Sequence, residues 1–325
     1  MEKLTWGMIG AGDVTELKNG PGLYENDNCQ LKAITNRTYE KAVDWSERHN
    51  GCLVYRTVDE LLADDDIDMV YIATTPDVHK EMALACINAG KHVYIEKPLF
   101  KTYEDAEEVL AAAKEKGVFA YVAHYRRGLE PYRKAKELVE SGAIGTPLTA
   151  RITFTCPADT VNGWRANPTV SGGGHFFEGD IHVMDALDMI LGPYETVDLQ
   201  VIPMPENPEL EGAVSACFRW KNGMVGSGMW CYDSDADRDT IEIFGTEGSL
   251  CLGGLDIPHP LVLTKGSEVT EIPFTVPKSV GAPHERLIAE AVLAGKENPE
   301  LCTLENAMRT LKTTCRAMKL LREGK

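Results

Sequence analysis

The sequence predicts an α/β chain in two parts: a doubly wound parallel sheet over residues 1–123, then an α+β domain with a large, mostly antiparallel open sheet over residues 124–325. Three observations predict it. A short apolar run, Leu4 to Ile9, breaks at once into Gly10-Ala11-Gly12-Asp13-Val14-Thr15, the strand–turn–helix grammar of a phosphate-holding turn. Strand and helix patterns then alternate as far as residue 123. Past Tyr121 the alternation stops, and strand-like runs follow one another with tight turns between them.

In the first part, strands are expected at 4–9, 31–35, 69–73, 92–95 and 118–122, and helices at 13–19, 39–49, 57–63, 77–89 and 103–116. Gly10 makes the tight turn, and Gly12 lets backbone N–H groups approach a pyrophosphate at the helix start. The third glycine position of the Rossmann fingerprint holds Thr15, so this stretch read alone is equally an ordinary strand–helix turn. Pro21 and Gly22 stop the first helix early. Asp59-Glu60 and Glu104-Asp105 sit in first turns, which suits the helix dipole, and Gly90 and Gly117 follow helical stretches as C-caps.

In the second part, a helix at 131–141 ends at Ser141-Gly142 and a strand follows at 147–156. Residues 157–174, rich in Gly, Pro and Asn, read as a loop, and 176–191 as an amphipathic helix stopped by Gly192-Pro193. Strands are expected near 196–203, 212–220, 224–231, 239–245, 248–252, 260–264 and 270–275, with Lys221-Asn222-Gly223 as a hairpin turn. Helices near 283–294 and 303–323 close the chain, with room to pack back on the first domain.

Composition narrows the function. At 325 residues with 43% hydrophobic and 26% charged content, the chain is globular with a large core. Fifty acids against 33 bases give a net charge of −17, which argues against nucleic acid or an anionic membrane surface as partner. An anionic cofactor stays open, because a helix end and a few local cations hold phosphates inside a negative protein. Nine cysteines without a C-x-x-C pair imply a reducing compartment, no disulfides and no thiolate metal site. With no signal-peptide pattern at Met1-Glu2-Lys3-Leu4 and no membrane-length apolar run, a cytoplasmic location is expected.

Four constellations could carry chemistry. After the second strand, Asn36-Arg37 stands where an NAD enzyme usually carries an acid for the ribose 2′-OH; a guanidinium there suits a 2′-phosphate, which favours NADP over NAD. The alternative for Arg37 is a solvated turn arginine. Thr74, Thr75 and Pro76 end the next long strand and border the cofactor, while His79, in the following first turn, reads on its own as a surface histidine. In Glu96-Lys97-Pro98 a lysine stands where a strand meets the crevice, and a desolvated amine there can move protons near neutral pH. By itself it is equally a surface lysine. Finally, Ser171-Gly172-Gly173-Gly174-His175 leads into Glu178, Asp180, His182 and Asp185; Glu178, His182 and Asp185 share a helical face. No second cluster supplies the remaining ligands of a metal site, so no metal is expected, and a satisfied histidine–acid network is the plain alternative.

Together these pieces resemble the Gfo/Idh/MocA family of NAD(P)-dependent oxidoreductases. Gly10-Ala11-Gly12, Glu96-Lys97-Pro98, the arginines of His124-Tyr125-Arg126-Arg127 and the triple glycine leading to His182 carry the resemblance over residues 4–192, and the strand-rich remainder fits the family's second domain. The resemblance implies that Lys97 transfers the proton and His182 contacts the reacting hydroxyl or carbonyl. It implies cofactor contacts at Gly10, Gly12, Asp13, Val14, Asn36, Arg37, Thr74, Thr75, Pro76, His79, Glu96, Lys97 and Arg126. It also implies a substrate border of Tyr125, Trp164, Arg165 and His175. The family usually carries aspartate four residues before the histidine; here that place holds Glu178, with Asp180 where a small residue is common, so which acid faces the substrate stays open.

The expected activity is hydride transfer between a nicotinamide and a secondary alcohol or ketone of a sugar, polyol or related small molecule, with NADP as cofactor and NAD possible. The alternatives are a lyase, hydrolase or epimerase using tightly held NAD(P) transiently, and a non-catalytic nucleotide-binding sensor. An open sheet covered by helices on one face predicts a homodimer or homotetramer, although Phe218, Trp220, Met229 and Trp230 read equally as internal core.

Overall fold

The computed structural model describes residues 2–157, 163–254 and 259–324. In chain order its elements are β1 (Leu4–Ile9), α1 (Asp13–Leu17), α2 (Gly22–Glu25), β2 (Cys29–Thr35), α3 (Tyr39–Arg48), β3 (Leu53–Tyr55), α4 (Val58–Leu62), β4 (Met69–Ile72), α5 (Pro76–Asn88), β5 (His92–Ile95), α6 (Tyr103–Lys116) and β6 (Ala120–Val122). Then come α7 (Glu130–Glu140), β7 (Pro147–Thr155), α8 (Pro168–Ser171), α9 (Ile181–Leu191), β8 (Tyr194–Pro203), β9 (Glu211–Trp220), β10 (Val225–Cys231), β11 (Arg238–Gly245), β12 (Ser249–Leu252), β13 (Leu261–Lys265), β14 (Glu268–Ile272), α10 (Ala282–Leu293) and α11 (Leu304–Glu323). Two compact units result: Met1–Leu129 with Pro277–Met308, and Glu130–Val276 with Arg309–Lys325. The opening segment of the first unit runs to Leu129, and α10 groups with it.

The first unit is a six-stranded parallel sheet in the order β3-β2-β1-β4-β5-β6. The order reverses between β1 and β4, which opens a ligand crevice beyond their carboxyl ends. Strands β4 and β5 read as unbroken apolar runs because both sheet faces are covered. The edge strand β3 was not evident in the sequence; its apolar run, Leu53-Val54-Tyr55, is only three residues long and is exposed or half-buried. Helix α10 belongs here because Ile288, Ala289 and Val292 pack into the same core as Leu4, Trp6, Trp45, Tyr71 and Tyr94. Asn26 and Asn28 fix it further, donating to the carbonyls of Ala282 and Arg286, each at 2.9 Å.

The second unit is an eight-stranded sheet in the order β14-β13-β12-β11-β7-β10-β9-β8. Every pair is antiparallel except β7–β10. The β9–β10 hairpin closes at Gly223, whose φ of +88° only glycine adopts freely. Alternation along the strands separates the aromatics: Phe218, Trp220 and Trp230 are buried, whereas Val225, Met229 and Ile202 are 46%, 48% and 61% exposed. Helix α9 is not amphipathic, as its acids suggested. All eleven residues are buried, and Asp188 is neutralised by a fork from Arg309 at 2.7 and 2.6 Å. The expected loop over 157–174 contains a 3₁₀ turn (Gly163–Ala166) and α8; residues 158–162 lie outside the described residues. No helix among the described residues is long and apolar enough to cross a membrane.

Candidate active site

In the first unit the glycine turn has the geometry its residues require. Gly10 sits at φ +108°, and a side chain there would run into the Ala73 carbonyl. Gly12 is the extended N-cap of α1, and a Cβ on it would meet no protein atom within 4 Å. Its flank is therefore open to a ligand rather than closed by the fold. Thr15 fits the third glycine position because it turns inward, its hydroxyl donating to the Gly12 carbonyl at 2.7 Å. Across the switch point, at the end of β4, the hydroxyl oxygen of Thr74 is buried with no partner among the described residues. An open glycine flank and an orphaned hydroxyl at adjacent strand ends fit a polar, phosphate-bearing ligand. The chemistry at the β2 end fits it too: Asn36 uses its amide to donate to Thr38 O at 2.9 Å, Arg37 is exposed, and no acid occupies the turn.

The surface expectation for His79 is corrected. Its ring is wholly buried, with Nδ1 3.1 and 3.0 Å from the carbonyls of Pro98 and Leu99 and Nε2 3.0 Å from that of Thr74. Burial pushes its pKa down, and the ring ties the β4 and β5 loops together. Glu96 is likewise turned inward. Tyr71 and Asn19 both donate to its Oε1, the former at 2.6 Å, and the Lys97 amide donates to its Oε2 at 3.0 Å. Burial raises the Glu96 pKa, opposed by the charge of Lys97 and by these hydrogen bonds. Glu96 therefore anchors the backbone that presents Lys97. Lys97 is half-buried, at the start of a cis peptide to Pro98. The 3₁₀ turn Tyr125–Gly128 completes this side, with the Arg126 guanidinium 5.1 Å from the Tyr125 ring centre and both residues nearly buried.

The second unit carries the other set. Gly172 (φ +91°), Gly173 and Gly174 are glycines of close approach: a Cβ on the first two would strike Phe177, and one on Gly174 the Glu211 carboxylate. Glu211, wholly buried, accepts from the amides of Gly174 and Phe177, the latter at 3.1 Å, and burial raises its pKa. Clamped this way, the chain enters a wide π turn at Phe176–Asp180 before α9 begins. The single helical face expected for Glu178, His182 and Asp185 is altered, because a wide turn shifts the helical phase. The two acids, Glu178 and Asp180, have different surroundings. Asp180 is wholly buried and accepts from the Tyr232 hydroxyl at 2.6 Å, whose pKa burial and the Asp180 charge raise well above its usual value. Glu178 keeps 17% of its side chain exposed and pairs with Arg165 at 3.4 Å, while Arg165 lies over Trp164 with 4.7 Å to the ring centre. His175 stacks on Tyr232 at 5.2 Å, and His182 is 4% exposed.

The structure thus gathers Gly10, Gly12, Asp13, Val14, Asn36, Arg37, Thr74, Thr75, Pro76 and Lys97 around the carboxyl edge of the first sheet. Trp164, Arg165, His175, Glu178, Asp180 and His182 gather around the wide turn of the second unit. Sequence reasoning missed Asn19, Tyr71, Glu211 and Tyr232, which hold these groups from behind.

The Gfo/Idh/MocA family model, described as an oxidoreductase family with an NAD-binding Rossmann fold, matches residues 4–124, and the Gfo/Idh/MocA C-terminal domain matches residues 132–251. Oxidoreductase P35 of Formosa agariphila is 33% identical over 311 residues, 94% of this chain and 95% of its own. The 1,5-anhydro-D-fructose reductase of Ensifer adhaerens is 30% identical over 248 residues, 75% of this chain and 74% of its own. The crystal structure of a putative NADPH-dependent oxidoreductase from Desulfitobacterium hafniense superposes with a TM-score of 0.88 at 22% identity, covering 100% of this chain and 97% of that one.

Proposed function

The chain belongs to the Gfo/Idh/MocA family of oxidoreductases, and from that premise we propose that it interconverts a secondary alcohol and a ketone on a sugar, polyol or related small molecule, with NADP(H) preferred. One observation carries the reading: a lysine at the end of β5, its backbone fixed by a buried carboxylate, stands on the sheet edge that carries the open glycine flank and the orphaned Thr74 hydroxyl. The Asn36-Arg37 turn, without an acid, supports a 2′-phosphate over a bare ribose. The name of the anhydrofructose reductase supports a carbohydrate substrate.

The nicotinamide, when bound, supplies or accepts the hydride. Gly10, Gly12, Asp13 and Val14 hold the pyrophosphate; Thr74, Thr75 and Pro76 border the cofactor. In oxidation Lys97 takes the hydroxyl proton at Nζ; in reduction it returns a proton to the forming alkoxide. His182 hydrogen-bonds the reacting oxygen. Glu178, accessible and steered by Arg165, orients a neighbouring hydroxyl, whereas Asp180 serves the wide turn through Tyr232. Tyr125, Arg126, Trp164, Arg165 and His175 shape the substrate and nicotinamide ends. Nine free thiols support a cytoplasmic location. The exposed apolar side chains of Val225 and Met229 on β10 and of Ile202 on β8 support a homodimer or homotetramer through the sheet face.

The test is fluorescence titration with NADPH and NADH, then a polyol and keto-sugar screen. Tighter NADPH binding and reversible turnover are expected. Cofactor that co-purifies and shows no net reduction during turnover would overturn the oxidoreductase reading in favour of transient redox use.

A further inference from the structure

Neighbouring parallel strands deliver the residues that follow them to one edge of the sheet. β2 pairs with β3 so that Thr35 stands opposite Tyr55. The chain therefore leaves the sheet as Asn36-Arg37 from one strand and as Arg56 from the next. Arg56 is held in place: its Cζ lies 4.2 Å from the ring centre of Tyr39, the first residue of α3. Glu60, in the following turn, accepts from the amides of Arg56 at 2.7 Å and Thr57 at 3.2 Å as part of a capping box.

Among the described residues, neither Arg37 nor Arg56 has an ion-pair partner. That is unexpected in a chain with 50 acids and 33 bases, where Lys32, Arg48 and Lys80 in the same unit each hold two carboxylates. Two unneutralised guanidinium groups at the end of adjacent strands are a seat for a dianion. Resting on the NADP reading above, we propose that Arg56 is the second arm of a clamp on the cofactor's 2′-phosphate, with Arg37 as the first. Tyr39 holds Arg56 ready, so little side-chain freedom is lost on binding.

The experiment is fluorescence titration of wild type, Arg37→Ala, Arg56→Gln and Arg56→Lys with NADPH and NADH at two salt concentrations. Arg56→Gln should weaken NADPH by about 10- to 100-fold, the range for a lost charged hydrogen bond, and leave NADH within about twofold. Arg56→Lys should fall between, keeping charge and losing the fork, and the salt dependence of NADPH binding should shrink in Arg56→Gln. If wild type binds NADH as tightly as NADPH, the cofactor reading and the clamp both fall. If wild type prefers NADPH and Arg56→Gln keeps that preference while Arg37→Ala removes it, the cofactor reading stands and the second arm is refuted.

Discussion

Glu285 offers the sharpest physical test of the first unit. It lies in the first turn of α10, wholly buried, and neither carboxyl oxygen has a hydrogen-bond partner among the described residues. Gly22 and Gly281 leave it room, since a Cβ on either would meet the carboxyl group. Burial and the nearby charge of Glu96 raise its pKa well above the usual carboxylate value, so the native state holds it as the neutral acid. A buried polar group left unbonded costs about 1–3 kcal/mol. Glu285→Met fills a similar volume without that penalty. At 2–4 °C per kcal/mol for a domain of this size, its melting temperature should rise by roughly 2–12 °C at pH 7. The pH dependence has a definite sign. The unfolded chain releases the proton near 4.5, whereas the native chain keeps it to higher pH. Wild-type stability therefore falls as pH rises through that window, and the advantage of the variant grows over it. Glu285→Gln keeps the orphaned dipole but cannot ionise, so it should match wild type in acid and gain on it as pH rises. Calorimetry of all three between pH 4 and 8 decides the matter. A gain in Glu285→Met that does not change with pH, or a loss at pH 7, would refute a neutral unbonded acid.

Lys97→Ala should lose about 100- to 10,000-fold in turnover while NADPH binding survives, measured by steady-state rates beside cofactor titration. Asp180→Ala should destabilise by about 1–3 kcal/mol, because the buried Tyr232 hydroxyl loses its acceptor. Glu178→Ala should leave the melting temperature alone and raise KM; equal thermal effects of the two would contradict their assigned places. Met229→Asp puts a charge on the outward sheet face and should convert a sedimenting oligomer to monomers; a wild type that is monomeric at micromolar concentration would refute the assembly.

The elements were legible in the sequence wherever a strand or helix carries its own period. β1, β5 and α6 run as expected because their apolar spacing, turns and caps are local, and Thr102 and Gly117 cap α6 as their residue types predict. What was not legible is buried polarity satisfied at a distance. Glu96 is separated by 77 and 25 residues from Asn19 and Tyr71, Asp180 by 52 from Tyr232, and Glu211 by 37 from Gly174. Read locally, each acid looks like a solvated surface group, and the Glu178-to-Asp185 spacing looks like one helical face. A hydropathy pattern treats a carboxyl as a reason for exposure, whereas the fold treats it as a demand for donors. His79 obeys the same logic, with its ring nitrogens answered by carbonyls on two loops. In this chain, then, the residues flanking Lys97 and His182 in sequence mostly act by fixing backbone, and an acid beside a reactive group points first to a missing donor elsewhere in the chain. Glu285 is the one buried acid here whose demand no described residue meets, and for that reason its protonation state, unlike that of Glu211 or Glu96, is set by burial and reinforced by the neighbouring Glu96 charge, with no hydrogen bond opposing them.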